Sequence, residues 1–205
     1  MKKNTQEMLS GLAAIFFISG FSALIYQVCW QRLLFTGFGV DLTSITVIVS
    51  VFMAGLGVGA YFGGRIADKF STRLLIIFFF FFFGIGCFGF LIVILIFFVR
   101  DALVHCGLVI LTFATFLLLI FPTFLMGATL PILTSFFNRY IANVGESIGT
   151  LYFYNTLGAA MGALTTGFIL FNYLTLSQTI YLAASLNIFI AAVIFAIYGR
   201  KNHDE

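Results

Sequence analysis

Charged residues are scarce in this chain: Asp, Glu, Lys and Arg together make up only 8% of its 205 residues, whereas hydrophobic residues make up 62%. That little polar surface cannot cover a soluble domain, so the composition predicts a polytopic membrane protein. The net charge of +3 indicates no nucleic-acid partner, because basic residues in membrane proteins follow a topological rule. We therefore expect membrane lipid around the chain and no nucleic acid.

Cysteine and histidine are also rare. Cys29, Cys87 and Cys106 form no Cys-x-x-Cys pair and have no metal-ligand spacing, so they are interpreted as small apolar residues of the bilayer. His105 stands alone and His203 lies in the C-terminal tail, which leaves no set of ligands for haem or zinc. We expect no metal and no cofactor. Whether Cys29 and Cys106 form a disulfide stays open at this stage.

Carboxylates are missing from the centres of the apolar stretches. All seven acidic residues fall at or beyond predicted helix ends: Glu7, Asp41, Asp68, Asp101, Glu146, Asp204 and Glu205. A bundle that carries protons or polyamine cations through its centre is expected to hold a carboxylate there. The chain also has no phosphate-binding loop and no Ser, His and Asp set in a soluble cleft. Its own residues therefore predict no catalytic residue, and we do not expect it to be an enzyme by itself.

Long apolar runs dominate what is present. A helix needs about 20 apolar residues to cross about 30 Å of hydrocarbon. Six segments meet this requirement, and they are followed by a short polar tail at 199–205. The predicted spans are about 8–29, 43–62, 74–99, 102–137, 148–171 and 177–198. The predicted fold class is all-α, with one transmembrane domain of six helices.

Lys and Arg are divided unequally between the two sides of this predicted bundle. One side has only Arg32 and Arg100. The other side collects Lys2, Lys3, Arg65, Lys69, Arg73, Arg139, Arg200 and Lys201. The positive-inside rule then predicts that both termini lie in the cytoplasm of a bacterial-type inner membrane.

Glycines recur at every fourth residue in two predicted helices. The second helix carries Gly55, Gly59 and Gly63, and the fifth carries Gly158 and Gly162. This spacing lines one helix face with glycine, which lets a neighbouring backbone approach closely. The second and fifth helices are corresponding members of two three-helix halves, which is a weak indication of an inverted repeat.

Six consecutive phenylalanines, from Phe78 to Phe83, lie in the predicted third helix. Nothing in this run is polar. It is therefore interpreted as lipid-facing bulk, with an aromatic cofactor site as the less favoured alternative.

Several polar side chains lie at membrane depth, where such groups usually face the bundle interior. Hydrogen bonds between helices are the simplest explanation for them. The segment YQVCWQR at residues 26–32 is denser in polar and aromatic groups than such bonds require, so it predicts a pocket near the outer end of the first helix. Arg32 is expected to contact Asp41 or a lipid phosphate there. The candidate binding residues are Tyr26, Gln27, Trp30, Arg32, Asn155 and Asn187.

Charged residues cluster where the second and fourth helices are expected to reach the cytoplasm. We interpret them as a docking surface for a soluble partner or a second copy of the chain. Asp68 is predicted to pair with Arg139, because both lie at cytoplasmic helix ends. The candidate docking residues are Arg65, Asp68, Lys69, Arg73, Arg139 and Glu146.

Four segments resemble the membrane domain of the spermidine-synthase-like membrane proteins, in which a transporter-like domain is fused to an aminopropyltransferase. They are SGFSALIYQVCWQRLL (19–34), FMAGLGVGAYFGGRIAD (52–68), LMGATLPIL (125–133) and GTLYFYNTLGAAMGALTTGF (149–168). The segment GRIADKFSTR (64–73) is also similar to the loop between the second and third helices of major facilitator transporters. By this resemblance, six helices would correspond to half of such a transporter.

The resemblance implies that any catalysis depends on another polypeptide. The family's catalytic part is a Rossmann-like domain that follows the membrane domain and binds decarboxylated S-adenosylmethionine. Here only GRKNHDE follows the sixth predicted helix, so no catalytic residue of that domain has a matching position.

These observations lead to a first hypothesis and two alternatives. The first hypothesis is a non-catalytic integral membrane subunit that anchors or regulates a partner protein. The second is a small transporter or lipid-handling protein that acts as a dimer of six-helix units, with a cavity lined by Gln27, Trp30, Asn155 and Asn187. An enzyme embedded in the bilayer is the third interpretation, and it lacks any paired acid and base.

Overall fold

The fold is built entirely from helices in the part of the chain that the computed structural model describes, namely residues 2–38, 41–103, 107–139 and 143–201. A 3₁₀ turn at Ser71–Arg73 precedes the third long helix, and a π-helical segment at Thr166–Leu170 follows the fifth. The α-helices are α1 (Lys2–Phe38), α2 (Asp41–Lys69), α3 (Leu74–Leu103), α4 (Leu108–Phe137), α5 (Val144–Thr165), α6 (Phe171–Tyr173) and α7 (Leu176–Lys201).

Five of the described helices are long and apolar enough to cross a membrane, which makes the chain a multi-pass membrane protein. The apolar stretches are Leu9–Phe35, Ile45–Lys69, Ser71–Val99, Thr112–Phe137 and Leu176–Ala196. They correspond to the first, second, third, fourth and sixth predicted spans. The fifth predicted span falls on α5 and the π-helical segment, which are not among the five.

Two helix ends lie elsewhere than predicted. The basic stretch that begins at Arg65 is not a loop, because α2 continues to Lys69. Likewise Asp101 lies within α3, which ends at Leu103, and α4 begins after Gly107 with its φ of 86°. Charged side chains do not interrupt a helix when they can reach water, whereas a left-handed glycine does. The charged residues therefore did not mark where these two helices end.

Each contact between long helices has a counterpart when the first three helices are exchanged for the last three. α1 lies along α5 just as α4 lies along α2, and α3 lies along α7. The next closest pairs follow the same rule, since α3 contacts α4 and α7 contacts α1. Exchanging α1, α2 and α3 for α4, α5 and α7 leaves the scheme unchanged. Two similar three-helix halves produce such a symmetry.

Glycine allows the close approach of α2 to α4. A Cβ added at Gly55 would meet Thr123, one added at Gly59 would meet the carbonyl oxygen of Phe124, and one added at Gly63 would meet Ala128. On the facing helix, Gly127 lies in the same way against the backbone of Leu56. These glycines lie on one face of α2, and that face is turned to α4 over about two turns.

The contact between α1 and α5 is made in the same way. Gly158 and Gly162 of α5 lie against the backbone carbonyls of Phe17 and Phe21 on α1. Gly20 of α1 lies against Asn155 of α5. Both helix pairs thus depend on glycines from each partner.

Two apolar clusters fill the bundle along its length. One contains Trp30 and Phe52, and the other contains Phe78, Phe82 and Phe137. The second cluster lies at the end of the bundle where α2 and α4 finish and α3 and α5 begin, which we call the basic end because it carries Arg65, Lys69, Arg73 and Arg139. The other end is called the opposite end.

The sequence predicted that the whole phenylalanine run faces lipid, but only part of it does. Phe78 and Phe82 are fully buried in the core, whereas Phe80 and Phe83 are exposed. Residues four apart share a helix face, so the run is divided between the core and the outside by the turn of α3. A run of identical residues has no amphipathic pattern, and for that reason the sequence did not show this division.

Candidate functional site

A polar cluster is buried where α1 meets α7. The Asn187 side-chain amide donates a hydrogen bond to Ser22 Oγ at 3.1 Å and another to the Ala183 carbonyl at 2.8 Å. The ring of Tyr26 stacks on Trp30 with 5.0 Å between centroids, and Trp30 in turn contacts Phe52 on α2. This cluster joins three helices inside the apolar cluster around Trp30.

Two polar atoms of this cluster have no hydrogen-bond partner within the described residues. They are the Tyr26 hydroxyl, which lies near Asn187 without reaching hydrogen-bond geometry, and Trp30 Nε1. Both side chains are fully buried. A buried donor without a partner destabilises the folded state, so the cluster contains a favourable contact at Asn187 and unfavourable ones at the two rings.

We expect Tyr26→Phe and Asn187→Leu to change stability in opposite directions. Tyr26→Phe removes a buried hydroxyl without a partner and should raise the free energy of unfolding by up to about 1 kcal/mol. Asn187→Leu removes a hydrogen bond between helices and should lower it by about 0.6 kcal/mol. Thermal unfolding in one detergent compares them. A loss of stability in Tyr26→Phe would show that the hydroxyl has a partner after all.

The six candidate binding residues do not form one site. Asn155 contacts Gly20 on one side of α1, whereas Asn187 contacts Ser22. Positions 20 and 22 are about 200° apart around a helix, so α1 lies between the two asparagines. Asn155 and Asn187 therefore do not line one cavity within this chain, and a binding role for Gln27, Trp30, Asn155 and Asn187 stays a prediction. The sequence shows that each residue is polar but not which side of α1 each one meets.

Arg32 contributes to a pocket at the opposite end of the bundle. The guanidinium carbon of Arg32 lies 4.6 Å from the centroid of the Phe171 ring. The pocket has a volume of about 280 Å³ and is lined by Val28, Gln31, Arg32, Phe35, Gly167 and Phe171. The predicted contact of Arg32 with the Asp41 side chain lies outside the described residues.

The π-helical segment forms one wall of this pocket. At its start the Thr166 hydroxyl donates a hydrogen bond to the Gly162 carbonyl at 2.7 Å, and the same carbonyl also accepts the backbone N–H of Thr166. A Cβ at Gly167 would meet nothing within 4 Å, so the wall is open there. π-helical turns are frequent at functional sites. The sequence analysis missed Gly167 and Phe171. The only local signal for this wall of the pocket was the pair of threonines that precede Gly167.

All six candidate docking residues are exposed at the basic end. Arg65 lies over the ring of Tyr61 at 4.3 Å, and Lys69 lies over the ring of Phe70 at 5.5 Å. Glu146 lies in the first turn of α5, where its backbone N–H and that of Gly145 donate hydrogen bonds to the Asn143 side chain. Arg73 and Arg139 lie in the 3₁₀ turn and just after α4.

The predicted pair between Asp68 and Arg139 is not formed. Both side chains are exposed, and no ion pair between them is found in the part of the chain that the structure describes. Asp68 lies in the last turn of α2, one residue before Lys69. Side chains this exposed remain solvated, and an isolated surface pair contributes little.

Among the described residues, no group of three His, Cys, Asp or Glu side chains could hold a metal ion. Cys29 is buried and Cys87 is half-buried, and both are free thiols. The disulfide that the sequence left open involves Cys106, which lies outside the described residues.

Comparison of the chain with protein-family models, with curated proteins and with solved structures finds no match. The resemblance to the membrane domain of spermidine-synthase-like proteins therefore stays a prediction.

Proposed function

We propose that the protein is a non-catalytic membrane subunit that forms part of a larger assembly within the membrane. The observation that carries this proposal is the uncovered surface of α5. Its described buried residues are Ser147, Leu151, Gly158 and Gly162, and α5 packs along α1 with only a small contact to α4. Most of its circumference therefore has no protein neighbour among the residues that the structure describes.

The chemistry of α5 makes a protein neighbour more favourable than lipid. α5 is not among the described helices that are apolar enough to cross a membrane by themselves. Its outer side has a shallow groove of about 390 Å³, lined by Gly149, Tyr152, Phe153, Thr156, Leu157 and Ala160. Small residues gain little from contact with acyl chains, but they let another helix approach closely. This groove, called the α5 groove below, is our candidate interface.

The packing scheme, in which α1, α2 and α3 can be exchanged for α4, α5 and α7, supports a second six-helix unit as the partner. A six-helix unit with both termini in the cytoplasm, similar to half of a major facilitator transporter, would gain a complete structure by pairing with a second unit. The same observation favours the alternative function, a small transporter or lipid-handling protein that acts as a dimer of six-helix units.

The exposed cations of the basic end support an anchoring role. Arg65, Lys69 and Arg73 are all exposed within one stretch of nine residues. If the basic end lies in the cytoplasm, as the positive-inside rule predicts, it offers a soluble partner a cationic surface next to the membrane. The resemblance to spermidine-synthase-like proteins makes an aminopropyltransferase the partner to look for.

Native mass spectrometry of the protein, extracted gently from its own membrane, tests this proposal. We expect a complex heavier than one chain. A second copy would favour the transporter or lipid-handling function, and a soluble protein of stoichiometric amount would favour the anchor. A single chain that carries only lipid would contradict both.

Filling the α5 groove is expected to break the complex. In Ala160→Trp a large ring occupies the groove, so the complex should dissociate while the monomer stays folded. Ala192→Trp makes the same substitution at an exposed position of α7 and is the matched control. If both variants keep the complex, the α5 groove is not the interface.

A further inference from the structure

Two helices with exposed outer faces, α2 and α5, flank the same pair of helices. α2 packs along α4 and also contacts α1, whereas α5 packs along α1 and has a small contact with α4. α2 and α5 are not among the closely packed pairs of the described residues. Their outer faces therefore lie on either side of α1 and α4.

The outer face of α2 carries a row of exposed side chains at the basic end. Counted in steps of four residues, the row runs from Met53 through Tyr61 to Arg65 and Lys69, and every position in it is exposed. Met53 is 65% exposed, more than any other large hydrophobic side chain described on α2. Residues four apart form a ridge on a helix surface. This row, called the α2 ridge below, ends in two cations.

The α5 groove has the shape that accepts such a ridge. Its lining falls into two rows with steps of four residues, namely Gly149, Phe153 and Leu157, and Tyr152, Thr156 and Ala160. Two neighbouring rows of this kind bound a groove, and the ridges of one helix pack into the grooves of another. Glu146 is exposed one turn before the groove, on the side of the basic end.

The α2 ridge and the α5 groove also match in direction and length. α2 finishes at the basic end and α5 begins there, so α2 of a copy related by a twofold axis along the bundle would run antiparallel to α5. Met53 and Arg65 are 12 residues apart, which is about 18 Å along α2. Ala160 and Glu146 are 14 residues apart, which is about 21 Å along α5. With Met53 seated over Ala160, the two side chains of opposite charge come within about 3 Å of the same level.

We propose that the α5 groove binds the α2 ridge of a second copy of this chain, and that the groove of the second copy binds the ridge of the first. Each chain carries both halves of the contact, so a twofold axis closes the assembly at two copies. The Glu146 carboxylate then accepts hydrogen bonds from Arg65 of the other copy. Tyr61 lies against the face of that guanidinium, whereas its N–H donors lie in its plane. This inference rests on the proposed function, because it names the partner of the α5 groove.

Cross-linking between two differently tagged copies tests the contact in the native membrane. One copy carries Met53→Cys and the other carries Ala160→Cys, in a background in which the three native cysteines are replaced by alanine. A short bifunctional thiol reagent should then give a covalent heterodimer. The matched control pairs Met53→Cys with Ala192→Cys, which is exposed on α7, and should give at least about tenfold less product. If Ala160→Cys does not fold, Tyr61→Cys with Tyr152→Cys makes the same comparison about two turns nearer the basic end.

Charge reversal tests the pairing of Arg65 with Glu146. Arg65→Glu and Glu146→Arg should each weaken the homodimer by about tenfold, because the interface contains the ion pair twice and each reversal makes both contacts repulsive. The double variant should recover most of the wild-type affinity. Arg73→Glu changes an exposed charge of the basic end outside the α2 ridge and should have little effect. Native mass spectrometry over a range of protein concentrations measures the homodimer fraction.

The outcomes separate this inference from the proposed function. Equal cross-linking in the control pair, or no recovery in the double variant, would overturn the contact between ridge and groove. A complex that contains another protein and gives no cross-link between Met53→Cys and Ala160→Cys would overturn this inference and leave the proposed assembly intact. A single chain without any protein partner would overturn both.

Discussion

Gly59→Ala is expected to lower the free energy of unfolding by about 1–3 kcal/mol, which is the usual cost of overpacking. Alanine is the better helix former by about 1 kcal/mol, so propensity alone predicts the opposite sign. At Gly59, however, the new Cβ would meet the backbone of Phe124 and Ala128 on α4. Backbone atoms cannot move aside as the end of a flexible side chain can. The whole contact between α2 and α4 must therefore loosen.

Gly57→Ala is the matched control on the same helix, two residues away. A Cβ at Gly57 would meet nothing within 4 Å, so we expect a gain of up to about 1 kcal/mol from helix propensity. Thermal unfolding in detergent can be followed by the reactivity of Cys29, which is buried, in a background without the other two cysteines. Equal effects of the two substitutions would show that α2 does not pack on α4 through Gly59.

Gly20→Ala is expected to release α5 from the bundle while the other helices stay packed. The new Cβ would meet the backbone oxygen and the side chain of Asn155 on α5. Because α5 is held mainly by α1, a loss of about 1–3 kcal/mol at this contact acts mostly on α5. Hydrogen exchange measured by mass spectrometry should become about 10- to 100-fold faster across α5 and change little in α2 and α4. The proposed assembly should weaken as well, since α5 carries its interface.

Gly11→Ala provides the control for that experiment. Gly11 also lies on α1, and a Cβ there would meet nothing within 4 Å, so exchange across α5 should be unchanged. If Gly20→Ala accelerates exchange in every helix alike, α5 is an integral part of one cooperative unit. If it accelerates exchange nowhere, α1 and α5 do not pack through Gly20.

The spacing of the glycines is local information, and for that reason the sequence was a good guide to which helix faces pack closely. Residues four apart share a face in any helix, so Gly55, Gly59 and Gly63 had to line one side of α2. The sequence did not show which helix would meet that side of α2, since packing on α4 depends on the whole bundle. The reciprocal glycines, Gly127 and Gly20, were not predicted to be packing residues for the same reason.

The candidate site was predicted only in part. Of the six candidate binding residues, Arg32 alone is among the lining residues of the pocket near the C-terminal end of α1, and a binding role for the six stays a prediction. The other wall of this pocket comes from Gly167 and Phe171, which are more than 130 residues away in the chain. By contrast, the expected joint cavity of Asn155 and Asn187 does not exist, because α1 separates them.

The sequence by itself determined that this is a helical membrane protein with scarce charge and long apolar runs. Those properties follow from the solvent that each residue tolerates, and solvation acts residue by residue. The tertiary structure alone decided that Phe78 and Phe82 are core residues, that Asp68 and Arg139 stay apart, and that α5 is left uncovered. Those outcomes depend on which helices are neighbours, and that choice rests on contacts between residues far apart in the chain.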